Sequence, residues 1–249
     1  MNITILGAGA WGTALAILLA RRHDVVLWGR NHEAMADAQQ RRENHAYLPG
    51  FPLPDTLTVS ADFDLAVNHV CGESSSLLIV ASSVAGLRGL AEQLRDRPIP
   101  NLVWLCKGLE ENTRLLPHQI VQQVLGDKIA AGVLSGPSFA QEVARGLPCA
   151  LTIAGGDAAL CQRVVSAVHG GNIRIYSSDD LIGVEIGGAV KNILAIATGV
   201  ADGLQLGLNA RAALITRGLA EITRLGVALG GRPETFMGLS GVGDLILTC

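Results

Sequence analysis

The stretch NITILGAGAWG, residues 2–12, decides the fold. NITIL is a short apolar run of strand length, and a helical segment follows from Trp11 to Arg22. Between them lies G-x-G-x-x-G. Gly7 permits a tight turn, Gly9 lets a pyrophosphate approach the backbone, and Gly12 lets helix and strand pack closely. The free N–H groups at the start of the helix then hold phosphates. In this strand–turn–helix setting the motif reads as a dinucleotide-binding turn. Gly7, Gly9 and Gly12 are therefore candidate cofactor residues.

Outward from the turn, strand-like runs recur at DVVLW (24–28), LLIVAS (77–82), NLVWLC (101–106), IAAGVL (129–134), ALTIAG (150–155) and NIRIY (172–176). Helical segments separate them, one at about 31–42 and another after Thr113. Strands alternating with helices predict a parallel, doubly wound α/β sheet. After Ser178 no strand pattern remains, and residues 179–249 read as helices broken at glycines. The expected division is a dinucleotide-binding domain at 1–178 and a helical substrate domain at 179–249. GLSGVGDLILTC (238–249) stops with no polar tail, which reads as a chain shortened from a longer parent.

The chain is 49% hydrophobic and 16% charged, with formal net charge −3, so it can bury a sizeable core and gives no electrostatic reason to expect nucleic acid as a partner. Five scattered cysteines without a C-x-x-C pair fit a reduced, cytoplasmic protein. The six histidines show no metal-ligand spacing. The apolar stretch 184–203 is long enough to suggest a membrane span, but Glu185, Lys191, Asn192 and Asp202 argue for a packed helix without membrane insertion.

Four further segments carry chemistry. VVLWGR (25–30) ends with Gly29 and Arg30 where an NAD site commonly has an acid on the ribose diol. Arg30 would pair with a 2′-phosphate, so NADP(H) is favoured and NAD(H) stays possible. CKGLE (106–110) puts Lys107 beyond the carboxyl end of a strand, where ligands bind in open α/β sheets. In SGPSFAQEV (135–143), Gly136-Pro137 makes a turn and Ser138 reads as a helix N-cap with Gln141 completing a capping box. GAVKNILAIATG (188–199) sets Lys191 in an apolar run, with Gly187 and Gly188 one turn back. Small residues there admit another backbone or a flat ring. A desolvated lysine in that slot could act as general acid or base, with Asn192 orienting a substrate hydroxyl. The alternative is a lysine reaching water or paired with an acid such as Asp244.

Taken together, GAGAWGTALA, NHAYLPG, CKGLE, LSGPSFAQEVA, the long run GVEIGGAVKNILAIATGVADG onward, and GLSGVGDLILTC resemble the bacterial-type glycerol-3-phosphate dehydrogenases from Ile3 to Cys249. The resemblance implies a Rossmann-like sheet domain followed by an all-helical domain, here incomplete, and reduction of dihydroxyacetone phosphate to sn-glycerol 3-phosphate for phospholipid synthesis. It implies Lys191 as the catalytic proton donor and acceptor. Lys107, Gly136, Ser138 and Asp244 match substrate contacts, and Asn192 and Thr248 match polar groups of the related eukaryotic enzymes. Trp11, Arg30, Tyr47 and Ala140 match cofactor contacts, alongside Lys107 and the turn residues including Ala10. The slot at Gly187 and Gly188 is expected to let the planar ketone lie against the nicotinamide. A homodimer is a possible assembly.

Three departures from the family pattern stand out. The family continues past L-T-C with a Ser-Arg-Asn segment whose Arg grips the substrate phosphate, and this chain ends at Cys249. Ser82 stands where Pro is usual, and Ala10 where Ser is common. Two other readings stay open: an inactive, shortened NADP(H)-binding remnant, and another ketone reductase with the same domain plan.

Overall fold

The computed structural model describes all residues from Met1 to Cys249. Eight strands form one sheet: β1 (Asn2–Leu6), β2 (Asp24–Trp28), β3 (Leu57–Ser60), β4 (Leu77–Val80), β5 (Asn101–Trp104), β6 (Ala130–Ser135), β7 (Cys149–Gly155) and β8 (Ile173–Ser178). Their spatial order is β3-β2-β1-β4-β5-β6-β7-β8. The helices between them are α1 (Ala10–Leu19), α2 (His32–Arg41), α3 (Phe63–Asn68), α4 (Val84–Leu94), α5 (Pro117–Leu125), α6 (Ala140–Ala144) and α7 (Ala158–Val168).

The first six strands are parallel, as the alternation predicts. The pairing then reverses: β7 runs antiparallel to β6, and β8 parallel to β7. A parallel return is usually carried by a full crossover helix. The connection 136–148 holds only the five-residue α6, so the chain turns straight back. β3 and α3 lie in a region the sequence reading leaves without elements. Each is short, and LTVS offers only two buried positions.

The strands are apolar on both faces because both are covered. Ile3 and Ile5 of β1 join a core with Leu15 and Leu19 of α1 and Val164 of α7. Leu6 joins the opposite core with Ala66 of α3, Leu87 of α4, Ile120 of α5 and Val184. Buried Thr4 is tolerated because its hydroxyl donates to the Ala66 carbonyl at 2.7 Å.

Beyond Ser178 the chain is helical: α8 (Leu181–Gly203), α9 (Gly207–Ala228), α10 (Pro233–Phe236), a π-helical turn at Leu239–Gly243, and α11 (Asp244–Thr248). Asp180 caps α8, accepting from Gly183 N, and also accepts from Arg232 N, both at 2.9 Å. α8 is long and apolar enough to cross a membrane by length and composition. It packs against α9, α11 and β6. Its outer face leaves Ile193, Ile196 and Val200 exposed.

Candidate active site

Two sites meet at the carboxyl edge of the parallel strands. The first is a cleft of about 1080 Å³ lined by the turn after β1, the ends of β2 and β4, and Tyr47. Gly7 has φ +131°, and a Cβ there would lie 2.5 Å from the Ala81 carbonyl oxygen. A Cβ on Gly12 would lie 2.0 Å from the Gly7 oxygen. At Gly9 nothing lies within 4 Å of the same point, so the backbone is bare toward the cleft. This is the shape a pyrophosphate needs over a helix N-terminus, and the residues fit a dinucleotide.

Arg30 is exposed on the rim of the cleft, and Asn31 beside it caps α2 by accepting from Ala34 N at 3.0 Å. Gly29 is closely packed there: a Cβ would meet Met35 Sδ at 2.6 Å and the Ala8 Cβ at 3.0 Å, so a larger residue would have to displace the Met35 side chain. Ser82, on the opposite wall, donates to the Ser83 carbonyl at 2.9 Å. Ala10 opens α1, while Trp11 and Ala140 pack against the first core, and none of the three lines the cleft.

The second site is a charge cluster. Asp244, 1% exposed, stands between two lysines. Lys107 Nζ, on the loop after β5, donates to Asp244 Oδ2 at 2.6 Å and to the Gly136 carbonyl at 3.3 Å. Lys191 Nζ, on α8, donates to Asp244 Oδ1 and to Thr248 Oγ1, the latter at 3.1 Å. Thr248 Oγ1 in turn donates to the Asp244 carbonyl at 2.7 Å. So Lys191, Lys107, Gly136, Asp244 and Thr248, scattered in sequence, form one network. The acid partner that the sequence allows for Lys191 is present. A buried ammonium needs a counter-charge, and Asp244 supplies it. The Lys191 side chain is still 12% exposed and that of Lys107 23%, so both keep some access to solvent. Burial pushes the Lys107 ammonium below the usual lysine range; Asp244 opposes that shift and Lys191 adds to it. The cluster carries two cations and one anion, which favours an anionic ligand.

Three expectations need correction or refinement. Ser138 is not an N-cap. α6 begins at Ala140 with Phe139 before it, and the Ser138 hydroxyl turns back to donate to the Gly136 carbonyl at 3.1 Å. The Gly187–Gly188 slot is not open to a flat ring. A Cβ on Gly187 would lie 2.3 Å from the Ser240 carbonyl oxygen, and one on Gly188 3.2 Å from Lys107 Cδ and Ser135 Oγ. The slot admits another backbone and the lysine stem. Asn192 lies one residue past Lys191, is exposed, and stands outside the cluster's hydrogen bonds.

The sequence reading missed a third group. Glu185 on α8, 4% exposed, accepts at Oε1 from Trp104 Nε1 (2.9 Å) and from His118 N (3.0 Å), while Oε2 meets His118 Nδ1. Burial pushes its carboxyl up, against the downward pull of those hydrogen bonds. The available signal was an acid in an apolar run.

Comparison with known proteins agrees with this geometry. Residues 2–161 match the family model described as the NAD-dependent glycerol-3-phosphate dehydrogenase N-terminus, and residues 180–249 its C-terminus. A glycerol-3-phosphate dehydrogenase [NAD(P)+] from Paucimonas lemoignei is 72% identical over the whole chain, which covers 74% of that relative. The crystal structure of glycerol-3-phosphate dehydrogenase from Coxiella burnetii superposes with TM-score 0.93 at 42% identity, over all of this chain and 75% of that one. The Saccharomyces cerevisiae enzyme gives TM-score 0.86 at 28% identity, over all of this chain and 77% of that one. With the dinucleotide cleft and the lysine–aspartate cluster side by side, the chain belongs to the NAD-dependent glycerol-3-phosphate dehydrogenase family.

Proposed function

We propose that this chain is an NAD(P)-dependent oxidoreductase that interconverts dihydroxyacetone phosphate and sn-glycerol 3-phosphate. The observation that carries the reading is the Lys107–Asp244–Lys191 cluster at the carboxyl edge of β5 and β6, beside the dinucleotide cleft. In the division proposed, residues 1–178 hold the cofactor and 179–249 complete the substrate site.

The cofactor, when bound, supplies the hydride. Everything else falls to the chain. As negative charge grows on the ketone oxygen, Lys191 supplies a positive field and then a proton to that oxygen; in the reverse direction it takes the hydroxyl proton. Asp244 holds the Lys191 ammonium in place, and Thr248 fixes its second hydrogen bond. Lys107 and the 136–138 turn bind and orient the substrate, Lys107 facing its anionic group. Gly7, Gly9 and Gly12 hold the cofactor pyrophosphate at the start of α1, with Tyr47 and Trp11 beside it. Arg30, the one cation at the end of β2, favours a 2′-phosphate, so NADPH is preferred over NADH.

The test is oxidation of reduced cofactor by the purified chain, with and without dihydroxyacetone phosphate, beside Lys191→Ala. Substrate-dependent oxidation that falls at least about 100-fold in the variant, with cofactor affinity kept, is expected for a group acting in proton transfer. Cofactor binding without turnover in the unaltered chain would overturn the activity, and full turnover in the variant would overturn the role of Lys191.

A further inference from the structure

Glu185 is buried, has hydrogen-bond partners on two other elements, and has no part in the chemistry above. Its position is specific. Trp104, which donates to it, ends β5 three residues before Lys107. Glu185 itself lies on α8 six residues before Lys191. The two segments 104–107 and 185–191 therefore run together toward the charge cluster. They are joined at the base by Glu185 and Trp104, and at the tip by Asp244 between the two lysines. Midway, Gly188 lies against the stem of Lys107. His118, at the start of α5, closes the base from a third direction with both its backbone N–H and its ring.

A carboxyl among apolar neighbours is an unfavourable choice for packing alone, since an apolar residue of similar volume usually serves better. What a carboxyl adds is direction: it holds α8 at one axial and rotational setting on the sheet. Hydride transfer is sensitive to that setting, because a misplacement near 1 Å can cost about 100-fold in rate. We propose that Glu185 is a positioning residue for Lys191, fixing α8 against Trp104 and His118 so that the lysine meets the ketone oxygen while hydride is delivered from the sheet domain. The inference rests on the dehydrogenase reading.

The test compares the unaltered chain with Glu185→Gln and His118→Gln. Glu185→Gln keeps the volume and an Oε1 acceptor but loses the carboxyl that meets the imidazole. His118→Gln disturbs the same clamp at a part-exposed side chain and keeps the backbone N–H donor. Both variants should lower kcat by about 10- to 100-fold. They should leave the cofactor Kd within about 2-fold and raise the deuterium isotope effect on kcat with cofactor deuterated at the transferred hydride. A variant that merely lost stability would show fewer active molecules with an unchanged isotope effect. Without substrate, amide exchange over 186–191 should speed up while that over 2–19 does not. An unchanged isotope effect in an active chain overturns the positioning role alone, as does normal turnover in His118→Gln if Glu185→Gln does not fold. Absence of substrate-dependent turnover in the unaltered chain overturns the reading beneath it.

Discussion

Replacing Asp244 by Asn is the sharpest test of the charge cluster. The carboxylate is 1% exposed and is bonded to two ammonium groups, one of them at 2.6 Å. Asn keeps the shape and removes the charge. The two lysines, bound to opposite oxygens of one carboxylate, then face each other without their shared anion; two unit charges about 5 Å apart serve as the scale. At an effective dielectric of about 20 they repel by about 3 kcal/mol. Removing one partner of a buried pair typically costs about 3–5 kcal/mol. The expected loss at about pH 7 is therefore about 3–5 kcal/mol, a large share of the roughly 5–15 kcal/mol that holds a domain folded. The loss must also depend on pH. Lys107 binds its proton less tightly in the folded chain than in the unfolded one. Between its folded pKa and the unfolded value the unfolded chain holds more protons, so stability rises with pH across that window. Asp244 opposes the depression, so its removal extends the window downward and the variant should recover stability on going from about pH 7 to about pH 10. Urea unfolding followed by circular dichroism at both pH values measures this. A variant within about 1 kcal/mol of the unaltered chain at about pH 7, or one whose deficit is the same at both, would refute the argument.

Two further substitutions probe the cleft and the helix notch. Gly187→Ala places a methyl 2.3 Å from the Ser240 carbonyl oxygen and should cost about 1–3 kcal/mol by thermal unfolding, because backbone must move. The same shift carries Asp244, four residues past Ser240, away from Lys191, so kcat should fall more than stability alone explains. Arg30→Ala should weaken NADPH binding by about 10- to 100-fold, the worth of one charge-assisted hydrogen bond, and NADH binding by less than about 3-fold. Fluorescence titration with the two cofactors checks it, and equal losses would remove Arg30 from cofactor choice.

Local signals made the first half of the fold legible. The glycine turn, the apolar runs and the helix between Asn31 and Arg42 all sit where their residues predict. The reversal at β7 was not legible, because Cys149–Gly155 is as apolar as the parallel strands and periodicity carries no direction. Ser138 misled because a serine before a helical run satisfies the capping pattern, yet a nearby carbonyl competes for its hydroxyl. At the site, Lys191 was conspicuous as a charge in an apolar run. Glu185 carries the same signal six residues earlier, and from sequence alone it serves only as an argument against a membrane span. Its partners are 81 and 67 residues away, so nothing local told what it holds.

The order in which the chain is made separates the two sites in time. The dinucleotide turn lies near the start, but its glycines close against Ala81, and β1 pairs with β4 through Ile3 and Leu77. The turn thus gains its shape once β4 is synthesised and docked. Asp244 reaches Lys107 across 137 residues and Lys191 across 53. Chains fold domain by domain as they emerge, and contacts so distant in sequence form late. Synthesis therefore passes through a stage at which the phosphate cradle exists while the two lysines still lack their shared anion. On the proposed reading, the cofactor cradle is in place before the cluster that would use it.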